Sequence, residues 1–439
     1  MRRDQQLSRP GGRRRGLAAV AAGGLACTLL ALPVATAPSA WAADSCESIA
    51  LDTEPGEPPE ENEVGDRLRL DDVHAWLEAR GLGLGDGTQV AVVAGGVKPV
   101  PGLPVVPTAS SLVGREIEMY EGTALAGLVA GGEEEGLQVG VAPGAEVLDA
   151  RIMDSFAGGE GGLYDFNATA TVAMLGALAT TDVDVVAMPF PLPDSPELQR
   201  AVRTLLDRDV IVVAAAGDRP QAEEEPLAED YLESEGEGET EAPSGFSPRE
   251  DAVADAFPAG YDHPLLLSVS STAFSGDPQQ FVLPNSGIDL VAPTEGAVTF
   301  ALNDTLCVLD TPGSAWATGT IAGVLALVRS AHPDDTPRQV VARVLETATG
   351  GEDPAPGNRL SGRGVVQPFQ AVTAALRPAR DGEVASSQSR DRTEAAPVPQ
   401  DDPDLLAGTR RNAVWWGLLG GGALLVAVVV RPLVTRRRG

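Results

Sequence analysis

Short apolar runs alternate along the middle of the chain with longer stretches in which apolar residues recur every three or four positions. The first pattern is that of strands buried on both faces, the second that of helices with one face against a core. Strands are expected at 90–93, 145–151, 183–188, 210–216, 265–270 and 288–292. Helices are expected after Gly122, over 167–180 and 195–207, over 315–331, and from Thr336-Pro337, an N-cap followed by proline in the first turn. An earlier helical pattern covers 67–80, where Leu68, Leu70, Val73, Trp76 and Leu77 share a face, Asp71 and Asp72 suit an N-terminal turn, and Gly81, Gly83 and Gly85 stop it. Strands alternating with helices predict an α/β fold: a mainly parallel sheet with helices on both faces.

The two ends follow other rules. Residues 1–42 have the layout of an export signal, with a basic start at Arg2, Arg3 and Arg13 to Arg15, an apolar stretch, and a small-x-small cleavage site at Ala40-Trp41-Ala42. Leu25-Ala26-Cys27 is a faint lipidation signal inside that stretch. Residues 43–66 read as an extended acidic, proline-rich arm, and 379–411 as a polar, disordered tether. An 18-residue apolar run lies within 412–431, with Trp415 and Trp416 near its start fitting an interfacial belt, and 432–439 is a basic tail. That length reaches the minimum for a transmembrane helix, and the arginines after it favour the cytoplasmic side. The expected product is a single-pass protein of the cell membrane whose main domain, 67–378, lies outside the cytoplasm.

Net charge is −31, which excludes a general nucleic-acid surface. Part of that charge sits in an insertion, 219–251, whose segment 222–241 holds ten acidic residues and no basic one. Such a run is a solvated loop or, more sharply, a surface for a basic partner. With Cys27 in the signal, Cys46 and Cys307 remain. Two cysteines in an exported chain favour a disulfide, the alternative being two buried thiols. A bridge closing so long a loop stabilises by roughly 4–5 kcal/mol in the chain-entropy account.

Four segments carry the candidate chemistry. Val90-Ala-Val-Val-Ala-Gly-Gly-Val97, Glu121-Gly-Thr-Ala-Leu-Ala-Gly127, Val212-Val-Ala-Ala-Ala-Gly-Asp218 and Gly313-Ser-Ala-Trp-Ala-Thr-Gly-Thr-Ile-Ala-Gly323 resemble, in order, the aspartate, histidine, oxyanion-asparagine and serine motifs of the subtilisin-like (subtilase, S8-type) serine proteases. The functional positions of that family fall on Ala94, Glu121, Asp218 and Ala315. Serine peptide hydrolysis needs a nucleophile, a base, a carboxylate that orients the base, and donors for the oxyanion. Ala315 has no heteroatom, Ala94 orients nothing, Glu121 has no nucleophile to serve, and an ionised Asp218 repels an oxyanion. Ser314 is one residue away, turned by about 100° at a helix start, and reads as a cap.

The strand that pairs with substrate in that family matches Val185-Val-Ala-Met-Pro-Phe-Pro191. Pro189 and Pro191, on either side of Phe190, remove N–H groups that an incoming peptide would bond. Glu121 and Asp218 also match the acid-acting sedolisins, which nevertheless keep the serine and place an aspartate where this chain has Leu125. Two carboxylates facing one pocket could alternatively hold a cation. No metal-ligand spacing and no phosphate-binding glycine loop is visible, so neither metal nor cofactor is expected. His74, His263 and His332 read as surface or structural residues.

Signal, arm, subtilase-like domain, tether and C-terminal span together resemble the mycosins, membrane-anchored subtilases of type VII secretion systems. Further matches are Val139-Gly-Val-Ala-Pro-Gly144, Phe257-Pro-Ala-Gly-Tyr261, Asn285-Ser-Gly287 and Val291-Ala-Pro293. The resemblance implies partners among secretion-system membrane proteins. With the site degenerate, it implies a catalytically inactive scaffold or docking subunit, the competing reading being an active serine-type endopeptidase.

Overall fold

The computed structural model describes residues 44–108, 116–154, 168–220, 227–231, 250–272, 280–349 and 359–384. The expected signal, the body of the acidic run, most of the tether, the span at 412–431 and the basic tail lie outside those residues. Among the described residues no helix is long and apolar enough to cross a membrane.

The strands are β1 (Gln89–Val92), β2 (Val105–Pro107), β3 (Glu133–Glu134), β4 (Leu137–Gln138), β5 (Glu146–Asp149), β6 (Val185–Met188), β7 (Ile211–Ala215), β8 (Leu266–Thr272), β9 (Leu290–Pro293), β10 (Ala297–Phe300) and β11 (Leu306–Leu309). The α-helices are α1 (Glu63–Leu68), α2 (Leu70–Glu78), α3 (Glu121–Ala130), α4 (Ala168–Leu178), α5 (Pro196–Leu206), α6 (Ala228–Tyr231), α7 (Ser314–Ala331), α8 (Pro337–Thr347) and α9 (Pro368–Thr373). Seven strands form one sheet in the order β2-β5-β1-β6-β7-β8-β9, every pairing parallel. Val90 stands in register with Val147 on one side and Val185 on the other. Every residue of β6 and β7 is buried, so helices cover both faces.

α7 runs along the sheet, touching β1 and β6 to β9, and packs against α3. The two helices meet through notches: a methyl group on Gly319 would lie 3.1 Å from the carbonyl oxygen of Leu125, and one on Gly323 would lie 3.1 Å from that of Val129. α5 starts on a Ser195 cap that accepts from Leu198 N–H, with Pro196 behind it. α8 starts on a capping box of Thr336 and Gln339.

The arm is shorter and less extended than its composition predicts. Residues 46–48 form a 3₁₀ turn, and α1 begins at Glu63 because Asn62 caps it, accepting from Gly65 N–H. The single helix expected over 67–80 is two, broken at Arg69, whose φ of 57° is left-handed. Cys46 and Cys307 are joined, 261 residues apart in sequence, with sulfurs 2.11 Å apart. Around that bond Val308 N–H donates to Asp44 C=O, and Asn303 donates to Thr53 C=O. The arm is thereby laid on the antiparallel β10–β11 hairpin. At the other end the ordered chain runs past 378: Ala379 and Glu383 close a turn, and Thr336 Oγ1 donates to Arg380 C=O. Of the histidines, His74 is buried against the carbonyl of Val141, and burial holds its pKa below the usual range.

Candidate functional site

The four family positions come together where the strands end and two helices begin. Ala94 follows β1 and is completely buried. The loop after it lies so close to α3 that a methyl on Gly122 would sit 2.1 Å from Gly96 C=O. Val97 N–H donates to Asp149 Oδ1 at 3.1 Å, and Lys98 N–H donates to Thr123 Oγ1 at 2.9 Å. Asp149 is pushed up to about 6 by burial, against the pull of that Val97 bond and of Arg151. Glu121 opens α3 beside Tyr120, whose ring lies 5.9 Å from that of Trp316 on α7. The starts of α3 and α7 therefore face each other.

α7 presents Ala315 and hides its neighbour. Ala315 is partly exposed, whereas Ser314 is fully buried and its hydroxyl has no hydrogen-bond partner. The cap expected of Ser314 is absent: Ser314 is the first helical residue, the N-cap is Gly313, and the hydroxyl bonds nothing. The cap comes instead from 96 residues upstream. Both carboxylate oxygens of Asp218 accept from Ser314 N–H, at 2.7 and 2.9 Å. A carboxylate on a helix N-terminus meets unpaired N–H groups and the positive end of the helix dipole. The N–H that opens α7 is therefore already engaged by a carboxyl group belonging to the chain.

Glu121 is the other charged position. Burial pushes its pKa up to about 7, opposed by its own backbone N–H and reinforced by Glu47 of the arm. Its Oε2 is buried without a partner. Among the described residues no group of histidine, cysteine and carboxylate side chains has the arrangement to hold a metal ion.

Pro189, Phe190 and Pro191 follow β6, with both prolines buried and Phe190 partly exposed. Leu192 then exchanges two backbone hydrogen bonds with Phe257, at 2.7 and 3.0 Å. This segment is closed by internal pairing where its N–H groups are not already missing. Sequence reasoning missed two parts of the site. One is the capping role of Asp218, which no local spacing signals. The other is Leu227, one of the few apolar residues of the acidic insertion, which lies against Gly217.

The profile of the subtilase family (peptidase S8) matches residues 121–364. The chain is 27% identical over 428 residues to Mycosin-3 of Mycobacterium tuberculosis, covering 90% of this chain and 87% of that protein. It is 28% identical over 388 residues to Mycosin-1 of the same organism, covering 79% and 82%. Among solved structures, the MycP3 protease from the type VII (ESX-3) secretion system superposes with a TM-score of 0.53 at 27% identity, covering 76% of this chain and 93% of that one. A chain in the structure of an intact ESX-5 inner membrane complex superposes with a TM-score of 0.53 at 21% identity, covering 90% and 93%, a likeness of fold alone.

Proposed function

The chain belongs to the subtilase family as a mycosin-like member, and we propose that it is catalytically inactive and serves as a membrane-anchored scaffold or docking subunit of a type VII secretion system. The observation that carries this reading is the start of α7. A methyl group, Ala315, stands at the nucleophile's position, and the carboxylate of Asp218 bonds the adjacent N–H. Acyl transfer needs an attacking oxygen and donors aimed at the developing charge. Here the first is a methyl, and the N–H beside it already donates to Asp218. Ala94 removes the carboxylate that would orient a base, and Pro189 and Pro191 remove donors for a bound peptide.

Kinship supports the second half of the reading. Mycosins are among the relatives, and similar solved structures include chains from ESX-1, ESX-3 and ESX-5 secretion systems. The apolar run within 412–431, read from the sequence as a single-pass anchor, would set the folded domain outside, beside such a membrane complex. The competing reading, an active endopeptidase, lacks a nucleophile: Ser314 is the nearest hydroxyl in sequence and is fully buried.

Two measurements test the proposal. Full-length protein in detergent, incubated with a fluorophosphonate probe, stays unlabelled and leaves casein intact; labelling at any serine of the domain overturns the inactive assignment. Deletion of the gene lowers the amount of the intact secretion complex on native gels, and a chain carrying Glu121→Ala restores it. An unchanged complex after deletion overturns the scaffold assignment.

A further inference from the structure

At the carboxyl ends of β6 and β7, next to Asp218, the wall of the cleft has a recess lined by small and apolar groups. Gly217 has a φ of 103° and no side chain. A methyl placed there would lie 2.8 Å from Leu227 Cδ1, 3.6 Å from Ala256 Cβ and 3.8 Å from Leu283 Cδ1. Ala216, Ala256 and Leu283 are fully buried, and Ala256 precedes the Phe257 that pairs with Leu192. The recess thus adjoins the proline segment, through the Leu192–Phe257 pairing, and the capped start of α7, through Asp218.

Leu227, half-buried, lies against Gly217 at the mouth of this recess. This leucine holds a φ of 68°, a left-handed conformation that a leucine adopts only where its surroundings impose it. Its carbonyl accepts from Asp230 and Tyr231 N–H at 3.2 and 3.0 Å, closing the single turn of α6. Tyr231 fixes that turn to the body: its hydroxyl donates to Asp255 Oδ2 at 2.6 Å and approaches Asp251 C=O at 3.5 Å. Burial, and then the Asp255 bond, raise the Tyr231 pKa, so the hydroxyl keeps its proton at neutral pH.

We propose that residues 227–231 are an internal occupant of the cleft, with Leu227 filling the apolar recess beside Asp218 and Tyr231–Asp255 as its latch. The segment acts as an autoinhibitory contact that keeps apolar peptide side chains out. It rests on reading this crevice as the former substrate cleft. It does not depend on the loss of the nucleophile, since a filled recess excludes substrate from an active or an inactive site alike.

The test reads access to the recess rather than hydrolysis. Leu283→Cys puts a thiol on the recess wall, in a chain whose Cys46 and Cys307 are bonded to each other. Full-length protein carrying Leu283→Cys is treated with a charged methanethiosulfonate reagent, with the parent chain as blank. The thiol reacts at least tenfold faster when Leu227→Ala is added, and several-fold faster when Tyr231→Phe is added. The second variant leaves the leucine in place and breaks only the latch, so it stands if the first fails to fold. Equal rates in the folded variants overturn the proposal. Labelling of the wild type by fluorophosphonate would overturn the inactive assignment and leave this measurement standing.

Discussion

The two ends of α7 are built by different rules. Along its body Ile321, Val324, Leu325 and Val328 are fully buried, and Gly319 and Gly323 let α3 approach to backbone contact. At its start a buried hydroxyl bonds nothing, a carboxylate from another strand supplies the cap, and a bare methyl meets the cleft. The body obeys packing, in which nearly every substitution carries a cost. The start is held instead by one long-range hydrogen bond, with Ala315 left partly exposed. The difference separates what packing fixes from what a single distant partner fixes.

Four variants break or sharpen that contrast. Leu325→Ala, in the body, leaves a cavity between α7 and the sheet and costs about 3 kcal/mol in denaturant unfolding; a loss near zero would mean the core is loosely packed. Glu121→Gln acts at the start and depends on pH. The folded-state pKa of about 7 lies above the unfolded 4.5, so the stability linked to the carboxyl is complete below pH 4.5 and is lost as pH rises through 7. The variant is therefore more stable than wild type by about 3 kcal/mol at pH 8 and equal to it at pH 4. A constant difference across that range refutes the buried carboxyl.

Asp218→Ala removes the α7 cap and costs about 1 kcal/mol, read as a lower unfolding midpoint with an unchanged denaturant slope. An effect above that of Leu325→Ala would invert the contrast between the two ends. The smallest effect belongs to Ala315→Ser. Adding one hydroxyl changes stability by less than about 0.5 kcal/mol and restores no fluorophosphonate labelling, since Ala94, Glu121 and Asp218 still withhold the base, its orientation and the oxyanion donors. Labelling of that single variant would show that the remaining framework suffices for catalysis.

The sequence exposes the elements whose pattern is local and strong. The apolar runs at 90–93 and 210–216 and the long glycine-notched helix at 315–331 lie within a residue or two of β1, β7 and α7. The parallel sheet follows from their alternation. Elements held by distant partners were not legible. The β10–β11 hairpin and the short strands β2, β3 and β4 have too few residues to carry a period. The break at Arg69 interrupts a helical pattern that continues on both sides. In the site, the four family positions were legible as residue types. The bond of Asp218 to Ser314 was not, because it joins a strand end to a helix start 96 residues apart. Nor was Leu227, because a lone leucine among carboxylates reads as solvated chain until its neighbours are known.

The bond between Cys46 and Cys307 has a consequence for any enzyme that cuts this protein. A nick anywhere between the two sulfurs leaves both pieces in one covalent molecule. A single cut in the stretch just after Cys46 would add only the mass of one water and release no fragment without reductant. It would free one new amino and one new carboxyl terminus, so a cut at that place is a change of shape without a departing piece.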